Sequence, residues 1–168
     1  YGRFIREGDL VFDIGANEGN RTEIFRSLGA RVVAADPQPE CVRALQKRFG
    51  GVTDVTVVPA ALGEKECEAE LLLSNASTIS SLSREWIESV RGSGRFRAYR
   101  WDRTVTVPVT TLDRLIGEHG VPAFVKIDVE GYELPVVKGL SRPVGALSFE
   151  FVPEFILAAS ECVRRLDS

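Results

Sequence analysis

A seven-residue turn, DIGANEG at residues 13–19, follows directly on the apolar run Leu10, Val11, Phe12, and a second apolar run, Arg31–Ala35, closes on Asp36 and Pro37. A buried strand ending in a glycine turn, then a helix, then a strand ending in a carboxylate is the opening unit of a parallel α/β sheet. Parallel strands need a crossover, and that crossover is right-handed, so this one stretch constrains the fold more than any other. The alternation continues. Leu10–Ile14, Arg31–Ala35 and residues 55–59 read as central strands, separated by helices at residues 20–28 and 39–49. After Gly63 the pattern changes: residues 67–73 and 103–109 both look extended and are expected to pair antiparallel, enclosing a polar excursion over the ligand end of the sheet with a short helix near 84–90. Thr110 or Thr111 caps a helix to about 118, residues 124–128 form a fourth strand, 132–140 a helix and 146–151 a fifth strand. Pro135 is tolerated because it falls in the first helical turn. The expected fold is α/β: a doubly wound, mostly parallel sheet with helices on both faces and an inserted antiparallel pair.

The turn itself narrows the ligand. It reads G-x-x-x-G, from Gly15 to Gly19, where a dinucleotide-binding turn reads G-x-G-x-x-G and uses its second glycine to bring backbone against a pyrophosphate. Asn17 occupies that place. A cofactor with a ribose but no phosphate bridge fits better, and S-adenosylmethionine is such a molecule. Gly15 can lie against its methionine end, Asp13 can attract the ammonium directly or through water, and Asp36 can hold the ribose diol.

Three further strings stand in order along the chain: PAALG at residues 59–63, TTLD at 110–113 and KIDVEGYE at 126–133, followed by Phe149 and Glu150. Together with DIGANEG they resemble the FkbM-type methyltransferases, a branch of the class I S-adenosylmethionine-dependent enzymes with a Rossmann-like fold, over residues 10–150. KIDVEG is the most distinctive string. The family often has Glu before the proline after the second strand, whereas this chain has Asp36; the shorter carboxylate still reaches a ribose. The resemblance implies methyl transfer, most naturally to a hydroxyl of a sugar, polyketide or related small metabolite. It implies cofactor contacts from Asp13, Gly15, Ala16, Asn17, Gly19, Asp36, Pro37, Ala61 and Asp128. An NAD-dependent oxidoreductase would share the first unit but wants a phosphate-friendly turn; a non-catalytic nucleoside-binding module would keep the pocket without turnover. Class I methyltransferases normally carry two more strands after the fifth, which suggests that the chain is an excerpt. An open edge at strand five can then be covered by missing residues or by a second copy in a homodimer. A sequence that opens on Tyr1 and has no methionine also points to an excerpt.

Composition sets bounds. With 168 residues, 44% of them hydrophobic, the chain can bury one sizeable core, so a single domain over residues 1–168 is expected. A net charge of −3 gives no general attraction to nucleic acid or anionic membranes, no run is long enough to span a bilayer, and no signal peptide is visible. Cys41, Cys67 and Cys162 are too scattered for a disulfide framework or a zinc site and read as reduced thiols, consistent with a cytoplasmic protein.

Residues that end parallel strands face the ligand, so Asp13, Asp36, Asp128, Glu130 and Glu150 outrank His119, which precedes the fourth strand at the opposite end. Asp128, Glu130 and Lys126 are the catalytic candidates. Asp128 has three roles open to it: base or orienting acceptor for a substrate hydroxyl, cation ligand together with Glu150 or Glu130, or turn and helix cap. A divalent cation is not expected. Lys126 shares a strand face with Asp128 and needs a partner; Asp128, Asp13 and Glu150 are the candidates, whether the pair is structural or tunes Asp128. For the serine-rich segment at residues 74–82 the resemblance implies a loop bordering the cofactor and acceptor, whereas composition by itself reads only as a polar turn. Arg95, Arg97, Arg100 and Arg103 interleave with Phe96, Tyr99 and Trp101; with an acidic total this mix suits an anionic small-molecule acceptor or a solvated flap better than nucleic acid.

Overall fold

The computed structural model describes residues 1–167. In chain order it contains β1 (Leu10–Ile14), α1 (Asn20–Ser27), β2 (Arg31–Ala35), α2 (Pro39–Phe49), β3 (Val55–Val58), β4 (Ala61–Leu62), β5 (Cys67–Ser74), α3 (Arg84–Gly92), β6 (Trp101–Thr110), α4 (Leu112–His119), β7 (Phe124–Ile127), α5 (Glu133–Lys138), β8 (Leu147–Phe149) and α6 (Ile156–Leu166). Five strands form a fully parallel sheet in the order β3-β2-β1-β7-β8, with β1 central.

Both faces of this sheet are covered, which is why β1 reads as a continuous apolar run instead of an alternating one. Phe12 and Ile14 point to one side with Val33, Val125 and Ile127, and meet Leu112, Leu115 and Ile116 of α4 and Val136 and Val137 of α5. Val11, Val32, Ala34 and Phe124 point to the other and meet Phe25 of α1 and Leu45 and Phe49 of α2. The period of two along each strand thus sorts its side chains between two cores.

The expected antiparallel pair is present. β5 and β6 run register-matched from Cys67 opposite Val109 to Ser74 opposite Trp101, with an irregularity between Leu73 and Ser74. β6 is longer than its apolar run suggests, and it also takes β4, two residues too short to carry a periodic signal, as a parallel neighbour. The intervening excursion holds a 3-10 turn at Ser77–Ile79 and α3, whose N-cap Ser83 accepts the Trp86 N–H. Trp86, Ile87 and Val90 bury with Ile79 and against Phe96 and Trp101, so the excursion has a small core of its own. Expected and observed boundaries differ at element ends: β7 stops at Ile127, β8 keeps only three residues of 146–151, and α5 is a turn shorter than 132–140. No helix among the described residues is long and apolar enough to cross a membrane.

Candidate functional site

The carboxyl ends of β1, β2 and β7 open into a cleft, where ligands of open parallel sheets bind. Gly15 sets its floor. Its φ is +74°, and a Cβ there would run into the Asp128 carbonyl oxygen, so the chain can leave β1 against the end of β7 only as glycine. Asn17 follows in the left-handed region at φ +51°. That conformation is held from β2: the Asn17 N–H donates to Asp36 Oδ2 at 2.8 Å and the Gln38 N–H to Asp36 Oδ1 at 2.9 Å. Asp36 is therefore both the carboxylate at the end of the second strand and the clamp on the first turn. Burial pushes its pKa up to about 6, against the two backbone hydrogen bonds that favour the anion.

The serine-rich segment closes the rim. Ser77, Thr78, Ser80 and Ser81 line the cleft, and the Ser77 carbonyl accepts the Gln38 side-chain amide at 2.8 Å. Ala60, Ala61, Leu62 and Leu71 supply an apolar wall opposite. The lining contains three carboxylates, Asp36, Asp128 and Glu130, and no lysine or arginine among the described residues.

Lys126 stands behind this surface. Its Nζ lies 3.3 Å from Asp13 Oδ1 and 3.3 Å from Asp128 Oδ2, and donates to the Gly15 carbonyl at 2.8 Å. Of the three partners its spacing offered, it takes Asp13 and Asp128. Asp13 is 0% exposed and accepts the Thr22 hydroxyl at 2.7 Å. Asp13, expected to attract a bound ammonium directly or through water, is not among the residues lining the cleft and adjoins Lys126 behind it. Ala16 and Gly19 are also buried behind the turn, Gly19 against Leu45 and Phe49. Gly15, Asn17, Asp36, Pro37, Ala61, Asp128 and Glu130 line the cleft; Asp13, Ala16, Gly19 and Lys126 support it.

Glu130 has a backbone conformation that carboxylate residues seldom adopt, φ +52°. Three side chains impose it. Glu133 Oε1 accepts the N–H groups of Val129 and Gly131, each at 3.2 Å, Ser81 Oγ donates to the Glu130 carbonyl, and Gly131 is pressed against Trp86 so closely that a Cβ would overlap the indole. The Glu130 carboxyl is pushed up to about 8 by burial first, then by the negative charges of Asp128, Glu133 and Glu150. It carries a proton at neutral pH and can donate a hydrogen bond. Burial raises Glu133 too, and Asp128 is the main cause of the rise at Glu150.

Asp128 and Glu130 form a shared wall, because both also line a second cavity, with Trp86, the β8 end at Phe149 and Glu150, and α6. Sequence reasoning missed this cavity, Glu133 and Trp86. Only Glu133 left a signal, as a carboxylate in the first turn of a helix, where loop N–H groups need acceptors. His119 lies at the other end of the sheet, edge-on to Phe12. Phe96 and Trp101 pack on Trp86, and Tyr99 on Phe96, so these rings are spent on packing. No group of three or more His, Cys, Asp or Glu side chains among the described residues is placed to hold a metal ion. The three cysteines are free, Cys41 and Cys162 buried and Cys67 exposed.

A doubly wound parallel sheet with its cleft at the carboxyl ends of the central strands, floored by a glycine turn and clamped by the second-strand carboxylate, defines a Rossmann-like α/β domain. Within that class the chain belongs to the FkbM methyltransferases: the family described as "Methyltransferase FkbM domain" matches residues 13–159. It is similar to the hexuronic acid methyltransferase AglP of Haloferax volcanii, 27% identical over 148 residues, covering 87% of this chain and 56% of that protein. A shorter stretch is similar to the ribosomal RNA large subunit methyltransferase E of Archaeoglobus fulgidus, 54% identical over 37 residues, 22% of this chain and 19% of that one. Another is similar to a chloroplastic ribosomal RNA small subunit methyltransferase of Arabidopsis thaliana, 38% identical over 47 residues, 28% of this chain and 14% of that one. The chain thus spans about half the length of the first relative and less of the other two.

Proposed function

We propose that the protein transfers a methyl group from S-adenosylmethionine to a hydroxyl oxygen of a sugar, polyketide or related small metabolite. The observation that carries this reading is the lining of the cleft: the acidic groups of Asp36 and Asp128, the protonated Glu130 carboxyl beside them, and no lysine or arginine among the described lining residues. Such a cleft suits a nucleoside with a cationic tail and opposes a pyrophosphate, which needs N–H groups and positive charge. The residues fit the parts of that ligand. Asp36 uses one lone pair on each oxygen for Asn17 and Gln38 and keeps another on each for a ribose diol. Ala60, Ala61, Leu62 and Leu71 offer a flat apolar wall to an adenine, and Asp128 and Glu130 face the cationic end. Family membership and a hexuronic acid methyltransferase among the relatives support a sugar-like acceptor.

S-adenosylmethionine supplies an activated methyl group whose bonding pair returns to sulfur on transfer, so no oxidant or metal is required. The protein's share is placement and one proton. Asp128, fixed by Lys126 at 3.3 Å, accepts the hydrogen of the acceptor hydroxyl and aims its oxygen across the shared wall. Lys126 also bonds the Gly15 carbonyl, so the base and the cofactor turn are held to one another.

Calorimetric titration of the chain with S-adenosylmethionine and, separately, NAD⁺ tests the reading, with Asp36→Ala as control. Binding of S-adenosylmethionine alone, weakened at least about tenfold in the variant, is the expected result. Binding of NAD⁺ in its place would overturn it.

A further inference from the structure

The second cavity differs from the first in its walls. Its lining is aromatic in part, with Trp86, Phe149, Phe155 and Phe151, the last 52% exposed. Beside these rings stand the carboxyl groups of Asp128, Glu130, Glu133 and Glu150. Arg95 is the cation among the described lining residues, and its Nε is bound to Glu154 Oε1 at 3.1 Å. Behind the lining, Lys126 is divided between Asp13 and Asp128, and Arg21 acts on Glu150 without lining the cavity. The cavity therefore offers flat apolar surface, hydrogen-bond acceptors and the protonated Glu130 carboxyl, but no uncommitted positive charge among its described lining.

A saturated ring that has one C–H face and a rim of hydroxyls satisfies both kinds of lining group, the face lying on the phenyl rings and the hydroxyls meeting the carboxyl groups. A carboxylate or phosphate on the same ring would enter beside Asp128 and Glu150. Like charges brought together in a partly desolvated site are strongly unfavourable. The arginines that suggested an anionic acceptor do not answer this, since Arg95 is already neutralised by Glu154.

Resting on the methyl-transfer reading, we propose that the second cavity is the acceptor subsite and takes an uncharged, polyhydroxylated ring in preference to the carboxylate-bearing form of that ring. Asp128 and Glu130, common to both cavities, then place the ring hydroxyl next to the cofactor cleft.

Saturation-transfer NMR titrations at neutral pH test the proposal. The probes are methyl glucoside, galactoside and mannoside, each compared with its uronate, with and without S-adenosylhomocysteine. At least one neutral glycoside is expected to bind about tenfold or more tightly than its uronate. Glu150→Gln is expected to narrow that ratio by strengthening the uronate, and Phe151→Ala to weaken the glycoside. Equal or tighter uronate binding, a ratio unmoved by Glu150→Gln, or saturation by none of the rings would overturn the proposal. Failure of S-adenosylhomocysteine to bind counts against the cofactor reading instead, and the titrations made without it decide the ring preference separately.

Discussion

Replacing Glu130 by glutamine keeps the shape and the left-handed backbone of this residue and removes only its ability to ionise. The native carboxyl titrates at about 8, against an ordinary 4.5, chiefly because it is buried and then because Asp128, Glu133 and Glu150 surround it. Below pH 4.5 the folded and unfolded chains both hold the proton, and the glutamine variant should match the wild type. Between 4.5 and 8 the unfolded chain has released the proton and the folded chain retains it, so wild-type stability falls by about 1.4 kcal/mol for each pH unit. Allowing for partial solvent access, the variant should gain about 3–5 kcal/mol over the wild type by pH 9. Urea unfolding of both proteins across this pH range reads the difference. A difference that stays constant with pH, or a wild type more stable than the variant at pH 9, would show that the wall of carboxyl groups does not hold the charge relations described.

Lys126→Met leaves the fully buried Asp13 and the adjacent Asp128 without their cation and should cost about 3–5 kcal/mol in chemical denaturation; adding Asp13→Asn should recover part of the loss. Gly131→Ala drives a methyl into the buried Trp86 at φ +87° and should lower stability by about 2–4 kcal/mol, read as a drop in Tm. Asp36→Asn leaves either the Asn17 or the Gln38 N–H facing an amide NH₂, and affinity for S-adenosylmethionine should weaken by about 1–3 kcal/mol in calorimetry. Because Asp36 titrates near 6, wild-type affinity should also decline as pH falls through that value, a decline absent from Asp36→Asn.

The sequence by itself determined the sheet. Apolar runs at residues 10–14, 31–35 and 124–127 can be buried on both faces only as central parallel strands, and the turns that follow them carry Gly15, Asp36 and Asp128, so the cleft-forming ends were legible before any packing was known. The antiparallel excursion was legible too, because its strands interrupt the alternation of strand and helix. Tertiary structure decided which carboxylates face the ligand. Asp13 and Asp128 are the same residue type on neighbouring strands, but Asp13 lies inside β1, one residue before its end, and is sealed beneath Thr22 and Lys126, while Asp128 lies one residue past the end of β7, at the junction of two cavities. It also decided the state of Glu130. Its shifted titration comes first from burial and then from Asp128 and Glu133, close by in the chain, together with Glu150 brought in from the end of β8; the burial and the Glu150 and Trp86 contacts join segments far apart in the chain, for which local patterning carries no signal.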